Sequence, residues 1–196
     1  FFCFFLKAQV PCRAWSPGFD NNITTMVQSA QGTWFLGGSY GFPQMVFSDA
    51  YCCEISADGE LLRERAFHFA EQAEVTAMLP LSDGRCMVGG NTRGCDVGFS
   101  GFLLLLNPNN STKWIKVKNV NTLEGHFPYI LSLALSSDGK TVMALGEEDG
   151  ETKVQRYDIE TGNLLSELIL PQRFQVITPE LGAADFLLAG DDGVWR

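Results

Sequence analysis

The sequence has 196 residues and a net charge of −9, and this acidity excludes the basic patch that a nucleic-acid partner requires. Its 45% hydrophobic and 19% charged residues are typical of a globular protein. The 15 Phe and 20 Gly residues favour strands and tight turns over long helices.

The first ten residues, FFCFFLKAQV, resemble the end of a signal peptide, where an apolar run leads to a small residue before the cleavage site. Ala8–Gln9 fits such a junction, so residues 1–8 are predicted to be a signal remnant and residues 9–196 a single domain. The alternative is a buried first strand, but bulky residues without alternation fit a signal better. This prediction implies a secreted, periplasmic or cell-surface protein, and no other stretch is apolar for long enough to span a bilayer.

Six cysteines follow along the chain: Cys3, Cys12, Cys52, Cys53, Cys86 and Cys95. Loss of Cys3 with the signal leaves an odd number, which permits two disulfides and one free thiol. Cys52 and Cys53 are neighbours on a predicted strand, so their side chains point to opposite faces and do not pair with each other. Cys86 and Cys95 form a candidate disulfide across a predicted hairpin. Because no CxxC spacing occurs, we expect no metal site.

One pattern recurs three times: ITTMVQSAQGTWFLGG from Ile23, VTAMLPLSDGRCMVGG from Val75 and ILSLALSSDGKTVMALG from Ile130. Each copy starts with a β-branched residue, alternates apolar and polar residues, turns at a glycine and runs through a short apolar strand to another glycine. The turn glycines are Gly32, Gly84 and Gly139, at spacings of 52 and 55 residues. Repetition at such periods indicates propellers, solenoids or arrays.

The segments between the copies add a strand, a turn and a further strand, with turns at Asp58-Gly59, Asn109-Asn110 and Gly162-Asn163. Each repeat therefore holds four short strands, which is the content of a propeller blade. We predict an all-β fold of about three and a half four-stranded antiparallel blades of an incomplete propeller. The predicted blades are residues 22–72, 74–125, 129–172 and 175–196.

Repetition has a physical reason, because one small sheet cannot bury both of its faces alone. The apolar run from Phe102 to Leu106 is predicted to be buried on both faces by neighbouring blades. Trp34 is expected to belong to this core between blades. The glycines are expected to allow turns with positive φ or the close approach of two backbones.

Several stretches resemble known propeller repeats. PGFDNNITTMVQSAQGTWFLGGSYG resembles bacterial delta-60 repeats, SSDGKTVMALGEEDGETKVQRYDIETGNLL resembles WD40-like, YVTN-like and quinoprotein-like blades, and LLAGDDGVWR is similar to blades of ligand-sensor and sialidase-like proteins. Together they cover most of residues 17–196 and imply a bacterial propeller protein of which this chain is a fragment. The complete Asp-box of sialidases and the Gly-His…Trp-Asp signature of WD40 repeats are absent.

Catalytic signatures are weak. Gly37-Gly38-Ser39-Tyr40-Gly41 fits GxSxG, but a nucleophile elbow needs a following helix and the next residues have strand character. His68 and His126 are the only histidines available to a Ser-His-Asp site. The acidic turns could bind Ca²⁺, but they lack EF-hand spacing and are interpreted as solvated. We expect no cofactor.

The candidate binding residues lie in loops that follow the Gly-Gly strand ends, where propellers carry function: Tyr40, Phe42, Arg93 and Asp96. The predicted function is a non-catalytic binding or scaffold module of an exported protein, monomeric within a longer chain, that recognises a protein or glycan through its rim loops. The alternative is the scaffold of a propeller enzyme, a glycan-active hydrolase or lyase or a quinoprotein-like oxidoreductase, with its active site in other blades. Fold alone does not decide between them.

Overall fold

The computed structural model describes residues 20–41, 47–69, 71–94, 98–117, 128–179, 186–190 and 193–195, which form strands and turns. The predicted signal remnant, residues 1–8, lies outside this part of the chain. The described residues include no helix of the length and hydropathy that would cross a membrane.

The described residues form fifteen strands, in four groups that follow the chain. Blade 1 consists of β1 (Asp20–Gln28), β2 (Trp34–Gly41), β3 (Ser48–Ile55) and β4 (Leu61–Phe67). Blade 2 consists of β5 (Gln72–Pro80), β6 (Cys86–Gly94), β7 (Gly98–Leu106) and β8 (Thr112–Val117). Blade 3 consists of β9 (Tyr129–Leu135), β10 (Thr141–Glu148), β11 (Glu151–Asp158) and β12 (Leu164–Leu170). Blade 4 has three described strands, β13 (Val176–Pro179), β14 (Phe186–Gly190) and β15 (Gly193–Trp195).

Within each blade, consecutive strands pair antiparallel in chain order. One parallel residue pair, Ser48 with Gln72, joins the third strand of blade 1 to the first strand of blade 2. The chain is therefore all-β, with three complete four-stranded blades and part of a fourth. The sequence-based prediction of a partial propeller is confirmed.

The three copies of the sequence pattern form the first hairpin of blades 1, 2 and 3. The turn glycines Gly32, Gly84 and Gly139 have φ of 85°, 84° and 69°, in the left-handed region that favours glycine. Each donates its N–H to the carbonyl three residues earlier, for example Gly32 to Ser29 at 3.0 Å. The recurring turn thus fixes the register in which the first and second strands pair.

A second recurring feature is a close backbone contact inside each blade. The first strand has a register shift opposite the glycine that ends the apolar part of the second strand: Gly38, Gly90 or Gly146. A side chain at these glycines would overlap the carbonyl oxygen of Asn22, Glu74 or Tyr129, respectively. The terminal glycine of the pattern is therefore required by this close approach.

The core lies between the blades rather than inside any one of them. Residues Phe102 to Leu106 of β7 are all buried, as predicted. Their alternating side chains join two clusters: Phe102 and Leu104 pack with Phe35 and Val75 between blades 1 and 2, whereas Leu103 packs in the cluster shared by blades 2 and 3. The same alternation buries Phe35 of β2, so Phe35, and not the partly exposed Trp34, is the core residue there.

Polar contacts join the first strands of neighbouring blades. The hydroxyl of Thr24 donates to the carbonyl of Val75, and the hydroxyl of Thr76 donates to that of Ile130. Thr24 and Thr76 occupy equivalent positions, at the register shifts of β1 and β5. One hydroxyl per blade therefore satisfies a carbonyl of the next blade.

The outer strands are joined to the next blade by side chains that differ in kind. Arg63 of β4 is 15% exposed, forms an ion pair of 2.6 Å with Glu54 and donates to three carbonyl oxygens of blade 2, those of Gly84, Asn107 and Pro108. Trp114 follows the equivalent register shift on β8, and its indole N–H donates to the carbonyl of Ile159 in blade 3 at 2.8 Å. A guanidinium and an indole thus fill the same role.

We expect Arg63→Ala to lower the free energy of unfolding by about 3 kcal/mol, because it leaves Glu54 and three blade 2 carbonyls without their buried donor. Lys140→Ala is the control, since Lys140 is exposed on a turn, and it should change stability by less than about 0.5 kcal/mol. Urea denaturation of the variants measures both values. Equal stability of the two variants would show that Arg63 does not hold blades 1 and 2 together.

We expect Gly90→Ala to destabilise the chain by about 2–3 kcal/mol, because the added methyl group would overlap the Glu74 carbonyl and the Phe102 ring. Gly139→Ala is the matched control: its methyl group has no neighbour within 4 Å, and only the φ of 69° opposes it, at about 1 kcal/mol. The urea midpoints of the two variants are compared. The difference between them separates the cost of the steric overlap at Gly90 from the cost of the positive φ at Gly139. A larger loss for Gly139→Ala would contradict this assignment.

Candidate functional site

The loops of the propeller arc are sorted to its two ends. The short turns within hairpins, such as 29–33, 81–85 and 107–111, lie at one end, which we call the hairpin end. The other end, which we call the loop end, is where β2, β6 and β10 finish and β3, β7 and β11 begin. At the loop end the first strand of each blade begins and the second strand finishes.

A cleft of about 520 Å³ opens at the loop end. It is lined by residues of three successive blades: Ser39, Ser48, Gln72, Ala73, Glu74, Asn91, Thr92, Arg93, Tyr129, Leu131 and Glu147. This volume lies within the range of about 300–1,000 Å³ that is typical of small-ligand sites.

The register of the strands places the polar side chains of the cleft. Glu74 on β5 pairs with Asn91 on β6, and Tyr129 on β9 pairs with Glu147 on β10. Paired residues on antiparallel strands present their side chains on the same face. Each blade thus contributes a cross-strand pair at the same level of the loop end.

Both carboxylates at the cleft contact a neighbouring side chain. Glu74 accepts a hydrogen bond from the amide of Asn22 at 3.1 Å, and Glu147 forms an ion pair with Arg173 at 3.0 Å. Burial raises the pKa of Tyr129, the Arg93 guanidinium opposes this shift and Glu147 adds to it. The tyrosine therefore stays a neutral hydroxyl at physiological pH, a group that can both donate and accept hydrogen bonds.

One polar atom at the cleft lacks a partner. Asn91 Oδ1 is buried from solvent and accepts no hydrogen bond, alone among the buried side-chain oxygen and nitrogen atoms of the described residues. An unsatisfied buried acceptor costs about 1–3 kcal/mol. Native structures carry few such atoms, and each calls for an explanation such as a missing ligand.

The four predicted binding residues have different outcomes. Arg93 lies in the cleft, opposite Gln72 on β5. Tyr40 lies on β2, stacked at 6.0 Å on Tyr51, and is not among the residues that line the cleft. Phe42 and Asp96 lie outside the described residues. A binding role for all four stays a prediction.

Sequence reasoning missed Glu74, Asn91 and Tyr129, and it interpreted Glu147 only as part of a solvated acidic turn. The signal was present in the repeat, because each of these residues either precedes the β-branched start of a copy or follows its last glycine. The equivalent positions of the first copy are Asn22 and Ser39, which also pair with each other. These flanking positions change from copy to copy, whereas the apolar positions between them do not.

The cysteines carry no described disulfide. Cys52, Cys53 and Cys86 are buried free thiols. Cys95, the predicted partner of Cys86, lies outside the described residues, so the pairing is untested.

Two other sequence features have structural outcomes. The GxSxG residues, 37–41, lie within β2 and form no turn from a strand into a helix, which a nucleophile elbow requires. Glu147 and Glu148 of the acidic turn are paired with Arg173 and Lys153. In the described part of the chain, no three His, Cys, Asp or Glu residues are grouped so that they could hold a metal ion.

No protein family and no curated protein matches the sequence. Solved structures do match the fold. The Neurospora crassa Pan2 WD40 domain has 10% identity and a TM-score of 0.59, with 86% of this chain and 44% of that chain covered. Kuenenia stuttgartiensis hydrazine synthase has 11% identity and a TM-score of 0.64, with 86% and 57% covered.

A chain of the mitotic checkpoint complex has 14% identity and a TM-score of 0.60, with 89% of this chain and 49% of that chain covered. At these identities the likeness shows the fold alone. Together with the blade topology, it shows that this chain is a β-propeller repeat protein. The chain spans about half the length of the propellers that it matches.

We expect Cys52, Cys53 and Cys86 to resist alkylation by iodoacetamide at pH 8 in the folded protein. Burial raises the pKa of Cys52 to about 12 and that of Cys53 to about 11, and it also raises the pKa of Cys86, so the reactive thiolates are scarce and enclosed. Peptide mapping by mass spectrometry should find all three modified only in denaturant. Rapid modification of Cys52 or Cys86 in the native chain would show that the interface of blades 1 and 2 opens.

Proposed function

We propose that this chain is a binding module that holds its partner at the loop end of a propeller. The observation that carries the proposal is the cleft, where three blades converge and each contributes polar side chains at the positions that flank its repeat. These are the positions at which the copies differ while the scaffold between them stays the same. A partner-specific surface on a repeated scaffold has this arrangement.

The module belongs to a longer, closed propeller of bacterial type in this proposal. On β12 the side chains of Leu164 and Leu168 are 50% and 57% exposed. Ser166 of β12 occupies the position after the register shift that Arg63 occupies in blade 1 and Trp114 in blade 2. Those earlier residues contact the turn before the fourth strand of the next blade. Continuation of blade 4 would supply that turn and cover β12, and further blades would close the ring with the protein monomeric.

The proposed partner is a protein or a glycan. This chain itself is proposed to be exported to the periplasm, the cell surface or the medium. The apolar start of the sequence, residues 1–8, supports export. A protein partner is supported by the fold match to a chain that is part of the mitotic checkpoint complex. A glycan partner is supported by the concave, polar cleft.

The test applies the full chain to an array of glycans and an array of peptides. We expect saturable binding to members of one array, weakened at least 10-fold by Arg93→Ala at the cleft and unchanged by Lys140→Ala at the hairpin end, because only the first variant alters the binding surface. Thermal melting checks that both variants fold.

Three results would contradict the proposal. They are no binding on either array, binding that Lys140→Ala weakens as much as Arg93→Ala does, and conversion of a bound glycan to products. The last result, read out by chromatography of the eluted ligand, would favour the enzyme alternative.

A further inference from the structure

The cleft at the loop end has the groups of a sugar-binding site, and we propose that its ligand is a neutral saccharide. The inference rests on the proposed function and names the ligand class of the same site. It is carried by three equivalent cross-strand pairs, one from each blade: Asn22 with Ser39, Glu74 with Asn91 and Tyr129 with Glu147.

The size and shape of the cleft favour a small ligand or one end of a chain of sugars. Residues from three blades border its volume of about 520 Å³, which forms an open cleft. Clefts of this size hold small molecules, whereas a protein partner typically covers about 800 Å² of flatter surface. One to three sugar rings match the available space.

The charges at the cleft balance. Glu74 and Glu147 each carry one negative charge, Arg93 lines the same cleft, and Arg173 pairs with Glu147 at 3.0 Å. Among the described residues at the site, the two carboxylates are therefore matched by two guanidinium groups. A cationic or an anionic ligand would add a net charge to a site whose described charges sum to zero, whereas a neutral ligand leaves that balance and the Glu147–Arg173 ion pair intact.

The hydrogen-bonding groups match those of a polyol. Carboxylate oxygens of Glu74 and Glu147 accept hydrogen bonds, the Arg93 guanidinium donates, and the Tyr129 hydroxyl can do either. Each sugar hydroxyl is both a donor and an acceptor, so adjacent hydroxyls can use both kinds of group. Tyr129 and Leu131 also supply apolar surface for the C–H face of a sugar ring.

Asn91 supplies the independent observation. Its Oδ1 atom is buried beside the cleft and accepts no hydrogen bond. A sugar hydroxyl that donates to this oxygen, directly or after rotation of the amide about χ2, would remove the penalty of the unsatisfied acceptor. Binding would therefore satisfy an acceptor that no described residue of the chain reaches.

The experiment titrates the full chain with neutral tetrasaccharides of glucose, mannose, galactose and xylose by calorimetry. We expect one of these probes to bind, with an affinity that changes less than twofold between 50 mM and 500 mM NaCl, because a neutral ligand feels little screening. Asn91→Leu, which removes the acceptor at similar volume, should weaken binding at least 10-fold.

A purely structural role of Asn91 would give a different result for stability. Because the wild-type oxygen is unsatisfied, Asn91→Leu should leave the melting temperature unchanged or raise it while binding is lost. Asn163→Leu is the matched control, since Asn163 is exposed at the hairpin end, and it should leave saccharide affinity unchanged. A drop in melting temperature with affinity retained would overturn the role of Asn91 and the inference with it.

The remaining outcomes separate the inference from the proposed function. If no saccharide binds but a peptide binds and Arg93→Ala abolishes it, the saccharide inference is wrong and the binding module stands. If a probe binds with an affinity that falls more than 10-fold at high salt, the ligand is charged and the inference is again wrong. If neither saccharides nor peptides bind, both proposals fail.

Discussion

The close contact between a bulged first strand and a glycine of the second strand organises every complete blade. Gly38, Gly90 and Gly146 each lie against a backbone carbonyl at a distance that leaves no room for a side chain. This contact lets the first strand shift register, and the shifted residues Thr24 and Thr76 donate to the first strand of the next blade. Packing within a blade and hydrogen bonding between blades therefore both require glycine at this position.

The contacts that the fourth strand of a blade makes with the next blade can be formed by chemically different side chains. Arg63 uses a guanidinium and Trp114 an indole to reach the carbonyls of the next blade from the same position. Either solution satisfies carbonyls that the turns would otherwise bury without a donor. The inner contact is geometric and tolerates only glycine, whereas the outer contact requires only a donor of sufficient reach. This difference explains why the repeat is visible in the first two strands of each blade and faint in the last two.

The polar residues that line the cleft stand at positions outside the apolar core. The residues before and after each copy of the pattern, such as Glu74 and Asn91, pair across the strands and line the cleft without taking part in the core. Their identity can change without loss of the fold. The cleft and the blade contacts thus occupy different positions of the same strands, so recognition and stability can vary independently.

The sequence by itself determined the all-β propeller class, the turn glycines and the burial of Phe102 to Leu106, because these follow from local conformational preference and from the alternation of apolar residues. The sequence-based prediction placed Trp34 rather than Phe35 in the core because Trp34 is the larger side chain. In the structure, burial depends on which face of β2 a side chain occupies, and Phe35 occupies the buried face. The sequence predicted Arg93 to lie in a loop beside the site, whereas it lies on β6, opposite Gln72. Only the tertiary structure brought Glu74, Tyr129 and Glu147 to one cleft and revealed the unpaired oxygen of Asn91, because those contacts join blades that are more than 50 residues apart in the chain.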